Sequence, residues 1–136
     1  MPDGEIKVVY LSTLSRHTQA VNVVRFSPKS SPPPCHADGR LDPVLASAGD
    51  DGVVCIWVPS EKDRDNAAFV EASEHSEDKE FWRVKHLCRS GNGAEIYDLV
   101  WSPDGTYILT GSMDNIARIY DSRDGLSTSP SVYLIA

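Results

Sequence analysis

Short apolar runs closed by turn-forming residues divide this chain along its whole length. Residues 6–14, rich in Val, Leu and Tyr, predict a strand. Residues 20–26 predict a second, closed by Ser27-Pro28, because proline cannot donate to a ladder. Residues 44–48 and 53–58 follow, separated by Gly49-Asp50-Asp51-Gly52 and closed by Pro59. The Asp51-Gly52 pair predicts a tight hairpin with positive φ at both central residues. Residues 81–88, 95–101, 107–111 and 116–121 then read as strands. Ser102-Pro103-Asp104-Gly105 and Met113-Asp114-Asn115 make turns between them. No run of helical period competes, so the predicted class is all-β.

The pattern is a repeat. Phe26-Ser27-Pro28 matches Trp101-Ser102-Pro103 at an offset of 75 residues. The stretch from Leu45 to Trp57 matches that from Ile108 to Tyr120 at an offset of 63. The difference of 12 residues is an insertion in the first copy, the Pro/Ser-rich loop over 29–41. A repeating unit of this kind implies sheets that bury their faces against one another. The expected organisation is one partial repeat array over residues 1–136. It divides into a first blade over 5–58, an acidic linker over 59–80, a second blade over 81–122 and a divergent tail over 123–136.

Charge narrows the partners. The net charge is −7, and eight acids against three bases between Pro59 and Glu80 supply −5 of it. A phosphate backbone needs clustered cations, so direct nucleic-acid binding is not expected. No stretch approaches the roughly 20 apolar residues that span a bilayer, so no membrane role is expected. The first five residues lack the apolar core of a secretory signal. Three cysteines, Cys35, Cys55 and Cys88, show no C-x-x-C spacing, which fits a reducing compartment and no disulfide framework. Cys55 falls inside an apolar strand pattern and reads as a core residue. Cys35-His36, His75 and His86 have no partners at metal-ligand spacing, and Gly91-Asn92-Gly93 lacks the Lys-Ser/Thr of a phosphate cradle. No metal or cofactor is expected.

These copies resemble the WD repeat, in which each repeat supplies four strands of a β-propeller blade. The resemblance implies an incomplete propeller of about two four-stranded antiparallel blades. It also implies a polar network per blade: a His ahead of the first strand, a Ser/Thr on the second, an Asp in the tight turn and a Trp on the third. In the first copy these are His17, Ser47, Asp51 and Trp57. In the second they are Asn92, Thr110, Asp114 and Tyr120, so His and Trp are both replaced. Ser47, His17 and Asp51 are also the residue types of a hydrolase triad, but no G-x-S-x-G elbow surrounds the serine. A structural network is the expectation, and the chain is not expected to be an enzyme.

A narrower resemblance rests on Leu11-Ser12-Thr13-Leu14-Ser15-Arg16-His17-Thr18-Gln19-Ala20 and its continuation through Pro28, together with Ala46-Ser47-Ala48-Gly49-Asp50-Asp51-Gly52. These resemble the second repeat of the WD-repeat subunits of chromatin assembly factors. The acidic linker, Trp82-Arg83-Val84-Lys85 and the run from Glu95 to Trp101 resemble the third repeat. A histone chaperone of the same repeat class, linked to transcription, is similar too. The resemblance implies a non-catalytic nuclear scaffold for nucleosome assembly during DNA replication and repair. Its partners would be other chromatin assembly factor subunits, core histones and histone chaperones. Propellers of this family bind partners beside the turn Asp and around the inter-blade loop, which makes Arg16, Asp50 and Met113 candidate contacts. Tyr120-Asp121-Ser122-Arg123 resembles the box by which WD-repeat substrate receptors reach cullin ubiquitin ligases, an alternative that rests on Arg123. A third alternative is a non-functional truncated gene product, since the family's first repeat is missing ahead of Met1. Two blades without neighbours are expected to be marginally stable, because each outer flank leaves an apolar face uncovered.

Overall fold

A computed structural model gives the fold and describes residues 4–28, 43–60, 78–89 and 92–122. The described residues hold seven strands and no helix: β1 (Val21–Phe26), β2 (Leu45–Gly49), β3 (Val53–Pro59), β4 (Trp82–Arg89), β5 (Ile96–Trp101), β6 (Tyr107–Ser112) and β7 (Ala117–Asp121). They form two antiparallel sheets of order β1-β2-β3-β4 and β5-β6-β7. The loop over 29–41, most of the acidic linker, the tail over 123–136, Cys35 and His75 lie outside the described residues.

Two expectations are corrected. Residues 6–14 form no strand. The segment pairs with none of the sheet edges, and among the described residues no sheet precedes β1 for it to join. The segment is instead held toward its end: the Lys79 and Glu80 N–H groups donate to the Leu11 carbonyl, and Leu14 packs against Val53, Cys55 and Trp57. The second correction concerns β4, expected in the second blade. It is the outer strand of the first sheet, with Val54 opposite Cys88 and Trp57 opposite Val84. Its half-buried Trp82, Val84 and Leu87 cover Val53, Cys55 and Trp57. The sheets therefore have four and three strands, and the sequence repeat runs one strand out of step with the structural blade.

The hairpin turns also differ from the expected form. Gly52 N–H donates to Gly49 C=O, and only Gly52 has positive φ, at 70°. The second copy repeats this with Asn115 N–H to Ser112 C=O and φ of 65° at Asn115. Each is a type I turn followed by one left-handed residue, which suits a longer hairpin loop than the two-residue one. Asn tolerates that conformation better than most residues, which is why it can stand where glycine stands in the first copy.

The core lies between the sheets. Ala46, Ala48, Val54 and Ile56 of the first sheet pack on Ile96, Leu99, Ile108 and Tyr120 of the second. Ile96 and Leu99 share a face despite a spacing of three because the ladder shifts register between Ile96 and Asp98. Fully burying an Ile such as Ile108 contributes about 1.5–3 kcal/mol. The sheets are also stitched by polar groups. Trp101 Nε1–H donates to the Arg25 carbonyl at 3.1 Å. Asn22 Nδ2 donates to Asp50 Oδ1 at 2.7 Å and to the Ile96 carbonyl at 2.9 Å.

Candidate functional site

The residues that carry chemistry gather under the two hairpin turns. In the first copy the structure brings His17, Ser47, Asp51 and Trp57 together. Trp57 Nε1–H donates to Ser47 Oγ at 2.9 Å. Ser47 Oγ lies 2.7 Å from His17 Nε2, and His17 Nδ1 lies 2.9 Å from Asp51 Oδ2. The carboxylate can only accept, so Nδ1 carries a proton, and in the neutral imidazole Ser47 donates to Nε2. Thr18 N–H and Val53 N–H also donate to Asp51. Burial would raise the Asp51 carboxyl, but the bonds from His17, Thr18 and Val53 outweigh it and hold it below its ordinary value. The loop ahead of β1, the turn and β3 are thus tied at one point.

Ser47, His17 and Asp51 have the hydrogen-bond sequence of a Ser-His-Asp relay, so the chemistry must be decided by access. Ser47 is 4% exposed, and its oxygen is already capped by the indole N–H. A nucleophile needs a free face toward a carbonyl and donors for the developing oxyanion. Ser47 offers no such face.

The second copy is wired differently. Asn92 Nδ2 donates to Asp114 Oδ2 at 2.7 Å. The amide is shorter than an imidazole and does not go on to Thr110. Thr110 Oγ1 and Tyr120 Oη are buried without a well-formed hydrogen bond, although Thr110 lies close enough to the phenol to act on it as a weak side-chain partner. Burial pushes the Tyr120 phenol above its ordinary pKa. Asp114 instead engages Arg118, whose Nη2 donates to Oδ2 at 2.6 Å and whose Nη1 donates to Ser112 Oγ at 2.8 Å. The Arg118 hydrogen bonds, then those from Ser112 and Asn92, hold the Asp114 carboxyl far below its ordinary range. Arg118 stands at the repeat position of Cys55, whose thiol burial pushes up to about 11. Sequence reasoning missed the roles of Arg118, Ser112 and Asn22. The signal for Arg118 was a cation inside an apolar strand pattern, four residues after the turn Asp.

The candidate contacts are less uniform than their equivalence implied. Arg16 is exposed, and Met113 is 60% exposed. Asp50 is half-buried and bonded to Asn22. Arg123 lies outside the described residues. Among the described residues no three His, Cys, Asp or Glu side chains group to hold a metal.

The family profile described as WD domain, G-beta repeat matches residues 9–58 and 83–121. The chain belongs to the WD-repeat family. The repeat boundaries straddle the blades, since residues 83–121 include most of β4 from the first sheet. This WD-repeat chain is 46% identical over 127 residues to a chromatin assembly factor 1 subunit of Schizosaccharomyces pombe, covering 90% of the chain and 21% of that protein. It is 40% identical over 129 residues to the Gallus gallus form of the same subunit, covering 94% of the chain and 20% of the relative. Protein HIRA of Zea mays is 33% identical over 127 residues, 93% of the chain and 12% of that protein. The chain spans about a fifth of the length of the chromatin assembly factor relatives it matches.

Proposed function

We propose that this WD-repeat chain is a non-catalytic scaffold segment of a nuclear chromatin-assembly machine, acting in nucleosome assembly coupled to DNA replication and repair. Similarity over nine tenths of the chain to chromatin assembly factor 1 subunits of two organisms supports the setting. One structural observation supports a scaffold over an enzyme: the serine, histidine and aspartate that could act as a relay are consumed in tying a loop to a hairpin. A buried, fully engaged polar network fixes geometry rather than turning over substrate. Its partners are other assembly-factor subunits, core histones and histone chaperones. Charge suits that list, because a chain of net charge −7 attracts basic proteins and repels nucleic acid.

Purified core histones and recombinant partner subunits, added separately to the immobilised chain, test the reading. Retention of at least one at moderate salt, reduced by Arg16→Glu with Met113→Asp, is expected. Failure of all of them to bind would overturn it.

A further inference from the structure

We draw no further inference here: the strongest candidate, the side-chain cluster in which the Tyr10 and Ser12 hydroxyls and the Thr13 N–H converge on Asp78 where the segment ahead of β1 meets the end of the acidic linker, ties two stretches of chain together, and nothing among the described residues points to a ligand, a modification or a partner that would act on it.

Discussion

Ser47→Ala and Thr110→Val remove the hydroxyl from the same position of the two repeats, and the structure assigns them opposite consequences. Ser47 Oγ holds the indole N–H of Trp57 at 2.9 Å and lies 2.7 Å from His17 Nε2. Each such bond contributes about 1 kcal/mol net. Trp57 is 4% exposed, so its N–H has no recourse to water once Ser47 is truncated. An orphaned buried donor costs about 1–3 kcal/mol. The expected loss for Ser47→Ala is therefore about 2–4 kcal/mol. Thr110 is 1% exposed and its Oγ1 makes no well-formed hydrogen bond, only a weak side-chain interaction with the Tyr120 phenol. Thr110→Val forfeits only that weak interaction and turns a buried hydroxyl into a methyl of similar shape. Its expected effect is within about 0.5 kcal/mol of zero, or stabilising.

Urea unfolding followed by tryptophan fluorescence measures both. With a slope of about 1–3 kcal/mol per molar, the Ser47 variant should lower the midpoint by about 1–2 M. The Thr110 variant should leave it unmoved. If the two variants cost the same, the wiring difference between the repeats is not energetic, and the reasoning fails.

Other expectations rest on equally local geometry. Gly52→Ala should destabilise by about 1–2 kcal/mol or more, since it places a Cβ in a left-handed residue against Gly93, whereas Gly111→Ala should be neutral or stabilising; urea midpoints separate them. The Asp51 carboxyl is held below its ordinary 3.8, so its contribution is full above that value and fades as pH falls through the lower folded one. Asp51→Asn should flatten that acid limb of the stability curve, measured as urea midpoint against pH. Cys55, buried and with its thiol pushed up to about 11, should resist alkylation at neutral pH in the folded chain and react once unfolded, as read by peptide mass spectrometry.

Much of this fold was legible because strands leave short-range signatures. Ser27-Pro28, Pro59 and the two Asp-centred turns sit where strands stop, and seven of the eight predicted strands form within a residue or two of their expected bounds. The exception, residues 6–14, has the right composition and the wrong surroundings. Composition reports what a segment can pair with, and only topology reports whether an edge is there. The same limit hid the allegiance of β4, whose sequence begins one repeat while its hydrogen bonds close the previous sheet. Within the site, the residues of the first network follow from a pattern of residue types. Arg118 could be seen as an anomaly in a strand, but its bond to Asp114 depends on the hairpin folding back four residues. Asn22 gave no signal at all, because its target is a backbone carbonyl 74 residues away.

The two turns meet one electrostatic demand in different ways, and the difference sets how tightly each blade holds its entry loop. A carboxylate held beneath a hairpin needs cationic or N–H donors. In the first copy the principal side-chain donor is His17, which arrives from the loop ahead of β1, so satisfying Asp51 also anchors that loop. In the second copy Arg118 comes from the same hairpin as Asp114, and the charge is met locally. The loop ahead of β5 is then tied to its turn by the Asn92 side chain and by Met113 N–H to the Glu95 carbonyl. The latter bond has its counterpart in Asp50 N–H to the Ala20 carbonyl, so the backbone tie is common to both copies and the side-chain tie is what differs. Replacing an imidazole that spans loop, strand and turn with an amide that touches only the turn uncouples the buried Thr110 and Tyr120 from the loop. Thr110 and Tyr120 of the second blade are therefore held by packing, Tyr120 in the core with Ile96, Leu99 and Ile108, where Ser47 and Trp57 of the first blade are also held by hydrogen bonds.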